Sequence, residues 1–161
     1  MKSRNCWIRS LALSLTLASI CVPCSLAQGS GHLQAGAPQT VVGKRGAAVQ
    51  AKIPVTVDPG FHVNSDKPKE EFLIPLSLSW TSTGALDPGA VIYPKPTAEK
   101  VGDQQLLVFT GKFDLIANFK IGASASAGPG SAAGKLRYQA CNNNTCFQPK
   151  TIEITVPYQV Q

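Results

Sequence analysis

Apolar and polar side chains alternate along much of this chain, and the alternation predicts β-strands. In residues 47–57 every odd position is apolar and most even positions are polar, which is the period of a strand with one buried face. Pro54 has no amide hydrogen, so we expect this strand to lie at a sheet edge or to contain a bulge. Asp58-Pro-Gly60 should form a turn before a short strand at 61–64.

The alternation recurs in several later segments, which are too short and too regularly spaced for helices. The predicted strands are 76–81, 91–93, 106–109, 113–121, 136–140 and 152–156. This spacing predicts an all-β fold, a two-sheet antiparallel β-sandwich. Residues 94–105 should form a loop. Residues 123–134 are almost entirely Ala, Ser, Gly and Pro, a composition that predicts a flexible connection tolerant of substitution.

The N-terminus has the composition of an export signal. Lys2, Arg4 and Arg9 precede an apolar run at 11–20, and small residues end the segment at Ala27. We therefore expect cleavage of residues 1–27, which places the protein in the periplasm or another exported location. Residues 28–40, rich in Gly, Ala and Gln, should be a flexible tail, and 41–161 a single domain.

Charge and hydropathy exclude several classes of partner. Removal of three basic residues with the signal leaves 12 Lys and Arg against 9 Asp and Glu, and these charges form no basic cluster. The sequence therefore does not favour nucleic-acid binding. No later segment reaches about 18 consecutive apolar residues, so the mature chain is not expected to span a membrane.

Two cysteines, Cys141 and Cys146, remain of the five once the signal peptide is removed. The residues between them, Asn-Asn-Asn-Thr, favour a turn that returns Cys146 beside Cys141, close enough for a disulfide. Strand phase turns Cys141 to the face opposite Tyr138, which predicts an outward-facing sulfur. Export allows a disulfide to persist.

The cysteine pair has two open interpretations. A disulfide that closes a loop of about six residues should contribute roughly 2 kcal/mol, so it can serve as a structural staple. An outward-facing pair can instead exchange with another protein's thiol. A metal site is not predicted, because two cysteines lack a second ligand pair and both histidines, His32 and His62, are distant in sequence. No motif for a cofactor was found.

Three segments together resemble the N-terminal periplasmic domain of the thiol:disulfide interchange protein DsbD. They are Asp58-Pro-Gly-Phe-His-Val-Asn-Ser65, Val108-Phe-Thr-Gly-Lys-Phe113 and Tyr138-Gln-Ala-Cys-Asn-Asn-Asn-Thr-Cys-Phe-Gln-Pro149. The resemblance implies an immunoglobulin-like sandwich. It also implies that Cys141 and Cys146 are a catalytic pair that carries electrons to thioredoxin-fold disulfide isomerases and cytochrome c maturation proteins.

The same resemblance places other residues near the pair. His62 and Asn64 match positions where the family has tyrosines beside the cysteines, and Tyr138 belongs to the Tyr-x-x-Cys motif. As a hypothesis, a His62 imidazolium would favour a nearby thiolate, and a group that titrates near neutrality can shuttle a proton. The alternative is a surface or half-buried strand histidine with no such role. The family's capping loop corresponds to a segment with no aromatic ring. Its residues here are Val101, Gly102, Asp103 and Gln104.

The full-length reductase continues into a membrane-spanning domain and a thioredoxin-like domain, whereas this sequence stops soon after Val156. We therefore expect a component of a protein-disulfide reductase system rather than a complete reductase. A separate membrane reductase would supply its electrons. The alternative is a non-catalytic binding module in which the Cys141–Cys146 disulfide is only structural.

Overall fold

A computed structural model of the protein describes residues 31–102 and 104–161. The predicted signal peptide lies outside these residues, as do residues 28–30 of the predicted tail. Within the described ranges, no helix is long and apolar enough to cross a bilayer.

The described residues form twelve β-strands. In chain order they are β1 (Leu33–Ala35), β2 (Val41–Gly43), β3 (Ala48–Val57), β4 (His62–Asn64), β5 (Ser77–Ser82), β6 (Leu86–Ile92), β7 (Thr97–Val101), β8 (Gln104–Phe109), β9 (Lys112–Ile121), β10 (Gly128–Tyr138), β11 (Ala140–Cys141) and β12 (Lys150–Val160).

The strands form three four-stranded sheets, with orders β1-β3-β9-β6, β2-β12-β10-β5 and β11-β4-β8-β7. Neighbouring strands are antiparallel except β2, which runs parallel to β12. The predicted all-β, immunoglobulin-like fold is confirmed. The third sheet was not predicted, and it carries the cysteine pair.

The main core lies between the first two sheets, and the alternating positions supply it. Ile53 of β3 pairs with Leu115 of β9 and both are fully buried. The second sheet contributes Leu136 and Val156, which are also fully buried. Burying each such side chain stabilises the fold by about 1.5–3 kcal/mol relative to exposure. The alternation therefore predicted these strands correctly.

The prediction that β3 lies at a sheet edge or contains a bulge was wrong. β1 and β9 flank this strand, and its pairing with β9 has no register shift. The Pro54 carbonyl accepts a hydrogen bond from the Gly36 amide at 2.8 Å, on the β1 side. A strand residue directs its nitrogen and its carbonyl to the same side. The proline therefore removes no donor from the ladder that joins β3 to β9.

Residues 123–134 are not the flexible connection that their composition suggested, because β10 begins at Gly128 and pairs with β12 and β5. Small residues are needed there for close packing. A Cβ on Gly130 would collide with the ring of Tyr158, and one on Gly134 would lie 2.8 Å from the Ser79 carbonyl oxygen.

Two other predicted irregular segments contain strands. Residues 94–105 include β7, which forms a hairpin with β8. The predicted tail includes β1, which pairs with the end of β3 and places Leu33 in the core with no exposed surface. Both strands are short and lack a strong alternation, so the pairing with neighbours decides their structure.

Candidate functional site

The third sheet places Cys141 directly across from His62. In the pairing of β11 with β4, Cys141 opposes His62 and Ala140 opposes Val63. Directly opposed residues in antiparallel strands project to the same face. Cys141 is bonded to Cys146, and their Cα atoms are 4.0 Å apart. The disulfide and the imidazole are therefore neighbours.

The turn between the cysteines is held by one asparagine side chain. Asn142 Oδ1 accepts hydrogen bonds from the amides of Asn144 and Thr145, both at 2.9 Å. The Asn142 amide donates to the Thr145 carbonyl at 2.9 Å. Asparagine favours such turns because its side chain can bond the backbone two residues further along. The predicted turn is confirmed, and it returns the chain at Cys146.

The two cysteines lie in different environments. Cys141 has 1% of its surface exposed, whereas Cys146 is exposed. The predicted strand phase was right, since Ala140 packs in the main core and Cys141 projects to the other face. The predicted exposure of Cys141 was wrong.

The reason is that this second face of the third sheet is itself covered. His62 and Asn64 share the face with Cys141, and they are 3% and 1% exposed. Further along the sheet, the face carries a small apolar cluster. Its members are Leu73, Leu106 and Val108, with Val101 packed against them. Strand phase alone could not distinguish this covered face from a solvated one.

His62 is a buried imidazole with a free nitrogen. Among the described residues, no hydrogen-bond partner lies at its Nε2 atom. Burial lowers the pKa of His62 below its usual value, and the negative charge of Glu99 opposes part of this shift. The ring is therefore neutral at neutral pH. This disagrees with the hypothesis of an imidazolium but suits a group that accepts a proton.

Replacing His62 with glutamine is expected to remove a pH-dependent part of the stability. Unfolded histidine has a pKa of 6.5, and the folded value is lower. The stability contribution is therefore complete above pH 6.5 and is lost as the pH falls toward the folded pKa. Chemical denaturation between about pH 7.5 and 5 measures this loss. This loss of stability should be smaller in His62→Gln than in the unmodified protein. In the control His32→Gln it should be as large as in the unmodified protein. An equal loss in His62→Gln would contradict the assignment.

The other two residues predicted to lie beside the cysteines, Asn64 and Tyr138, occupy different environments. Asn64 shares the face of Cys141, and its Nδ2 donates to the Ile74 carbonyl at 3.0 Å, which ties the segment after β4 to the sheet. Tyr138 projects into the main core, away from the face of Cys141. Burial raises the pKa of Tyr138, with a smaller contribution from Asp58.

The segment matched to the capping loop is the turn of the β7–β8 hairpin. Val101 pairs with Gln104, and Gly102 has a φ of 60° that favours glycine. Asp103 lies outside the described residues. On the same hairpin, Glu99 lines a groove of about 440 Å³ together with His62 and Asn143. The β7–β8 hairpin therefore contributes the Glu99 carboxylate to the groove that His62 also lines.

The sequence did not reveal an aromatic cluster beside the disulfide. The rings of His32 and Phe61 are stacked with centroids 3.5 Å apart, and Phe147 lies 5.1 Å from His32 and 5.8 Å from Phe61. His32 Nδ1 is 3.3 Å from Asp58 Oδ2. The available signal was that Phe61 and Phe147 immediately adjoin His62 and Cys146, but His32 belonged to the predicted tail.

The sequence model of one protein family, described as the N-terminal part of the thiol:disulfide interchange protein DsbD, matches residues 33–157. The chain belongs to this family. The matched range includes Cys141, Cys146 and His62. It begins at β1, so the strand found in the predicted tail is part of the family's domain.

The chain is also similar to domains of known structure. The N-terminal periplasmic domain of ScsB from Proteus mirabilis aligns with a TM-score of 0.55 and 17% identity, over 77% of this chain. The chain spans 44% of the length of that protein chain. The reduced DsbD N-terminal domain of Neisseria meningitidis aligns with a TM-score of 0.44 and 18% identity, over 77% of this chain and 89% of that one. No curated protein sequence matches this chain.

Proposed function

We propose that this protein is an exported thiol–disulfide exchange module that passes electrons through Cys141 and Cys146 to thioredoxin-fold partners. Membership of the DsbD N-terminal family and the Cys141–Cys146 disulfide support thiol–disulfide exchange in general. The observation that carries the specific proposal is the asymmetry of the pair. Cys146, an exposed residue, is bonded to the buried Cys141, which has the buried His62 across the strand pair.

Exposure assigns the first step to Cys146. In the reduced protein, the Cys146 thiolate attacks one sulfur of a partner's disulfide. The partner's disulfide bond breaks, a mixed disulfide forms, and the partner's other cysteine leaves as a thiolate that takes up a proton. A thiolate must approach the sulfur it attacks, so the accessible Cys146 is suited to this role and the buried Cys141 is not.

The second step belongs to Cys141. Its thiolate attacks Cys146 Sγ, which reforms the Cys141–Cys146 disulfide and releases the partner's second cysteine as a thiolate. The partner's disulfide has then gained two electrons, and this protein's dithiol has lost two. His62 accepts the proton of the Cys141 thiol before the attack. A neutral imidazole beside a buried thiol fits this role, since burial otherwise disfavours the thiolate.

The proposed relay requires two kinds of partner, because each cycle leaves the pair oxidised. A separate membrane reductase would return two electrons to the disulfide. The acceptors would be thioredoxin-fold disulfide isomerases or cytochrome c maturation proteins in the periplasm. Family membership supports the thioredoxin-fold and membrane-domain classes. The periplasmic description of the ScsB domain supports the location.

The proposal is tested by direct electron transfer. The protein is reduced, freed of reductant and mixed with an oxidised thioredoxin-fold disulfide isomerase, and the thiols of both proteins are followed by alkylation and gel shift. We expect two partner thiols to appear for each Cys141–Cys146 disulfide formed. The variant with both cysteines changed to serine sets the background. Persistent Cys141 and Cys146 thiols, with no partner thiols formed, would instead support a structural disulfide.

A further inference from the structure

We propose that His32, Phe61 and Phe147 form the surface on which the thioredoxin-fold partner docks during exchange with Cys146. We refer to these three side chains as the aromatic surface. This inference rests on the proposed function, because it identifies the contacts that the mixed disulfide would require.

The aromatic surface adjoins the exposed cysteine, Cys146. Phe147 follows Cys146 directly and is 38% exposed, and His32 retains 33% of its side-chain exposure. A mixed disulfide holds the two sulfurs about 2.05 Å apart. The partner's backbone must therefore come within a few ångströms of the Cys146 backbone, and an exposed ring on the next residue lies within that interface.

Backbone hydrogen bonds hold the three residues of the aromatic surface, which come from three separate segments. His32 precedes β1, and its carbonyl accepts a hydrogen bond from the Asp58 amide at 3.0 Å. Phe61 ends the Asp58 turn, where its amide donates to the Asp58 carbonyl at 3.1 Å. The Phe147 amide donates to the Ala140 carbonyl at 2.9 Å. Rings held in position before binding lose little conformational entropy on binding.

The side chains of the aromatic surface indicate what kind of partner surface would bind there. Partly exposed aromatic side chains are enriched at interface centres, where they supply much of the binding energy. Asp58 lies at the margin of the aromatic surface, against His32. Because the members of the surface are aromatic rings and Phe147 is exposed, the surface fits an apolar rim around the partner's reactive cysteine.

The test compares exchange with a protein and exchange with a small molecule. The rate constant of the reduced protein is measured with an oxidised thioredoxin-fold isomerase and with oxidised glutathione, and their ratio is taken. A small disulfide needs no docking surface. We expect Phe147→Ser to lower the ratio about tenfold, the effect of losing one interface residue worth about 1.4 kcal/mol.

Two further variants test whether the change in the ratio is specific to the aromatic surface. Phe72→Ser is the matched control, because Phe72 is 69% exposed and lies outside the aromatic surface. It should leave the ratio unchanged. Phe147→Leu keeps an apolar side chain and should recover most of the ratio. Phe147 is an exposed residue, so Phe147→Ser is expected to fold.

The outcomes separate the inference from the proposed function. A ratio that is unchanged in Phe147→Ser, or a loss in Phe147→Leu as large as in the serine variant, overturns the docking surface. A ratio that falls equally in Phe72→Ser overturns it as well. If the unmodified protein exchanges with glutathione but with no thioredoxin-fold protein, the proposed function itself fails.

Discussion

Cys141→Ser is expected to capture a thioredoxin-fold partner as a lasting mixed disulfide, whereas Cys146→Ser is expected to capture little. The exposed Cys146 can attack a partner without its neighbour, but only Cys141 can resolve the product. In Cys146→Ser, the remaining thiol is on a residue with 1% exposure, which limits its access to another protein.

The two variants are compared by mixing each with the same oxidised partner and separating the products on a non-reducing gel. We expect roughly tenfold or more cross-linked product from Cys141→Ser, since exchange depends on access to the attacking thiol. The double serine variant measures non-specific cross-linking. A larger yield from Cys146→Ser would reverse the assigned order of attack. It would also agree with the original prediction from strand phase that Cys141 faces solvent.

Gly130→Val is expected to destabilise the protein, even though the surrounding composition is that of a linker. Gly130 lies in β10 and faces the ring of Tyr158, which is 8% exposed. That ring cannot move freely, because its hydroxyl accepts a hydrogen bond from the Ala85 amide at 2.9 Å. Overpacking a filled site of this kind costs typically about 1–3 kcal/mol.

The free energy of unfolding in urea measures this effect, with the cysteines kept oxidised. Ser131→Ala is the matched control, since Ser131 is the next residue in the same strand and is exposed. Its stability should stay within about 0.5 kcal/mol of the unmodified protein. A Gly130→Val variant as stable as this control would refute the close packing against Tyr158. Residues 128–134 would then tolerate substitution as their composition predicted.

The predictable part of the fold is the part where one face of a strand is buried. In β3 and β9, alternation reports burial directly, so both strands were predicted. The beginning of β10 was missed because Gly130 and Gly134 leave room for rings from neighbouring strands. Composition shows that a residue is small, but it does not show which side chain fills the space above it.

In the candidate site, some features depend on residues adjacent in sequence and could be predicted, whereas others depend on residues far away in sequence. The Asn142 turn depends on residues adjacent in sequence, so the return of Cys146 could be predicted. The burial of Cys141 depends on β4, about 80 residues earlier, and the stacking of Phe61 depends on His32 in the predicted tail. Periodicity contains no information about such contacts.

The central claim, that Cys141 and Cys146 form an exchanging pair, is tested most directly by the reduction potential of their disulfide. The protein is equilibrated with glutathione buffers of known ratio, and the reduced fraction is read by thiol alkylation. We predict a potential above about −300 mV, in the range where pairs exchange with cellular thiols. A value well below about −300 mV would contradict the claim, because it is typical of disulfides that serve only as structure.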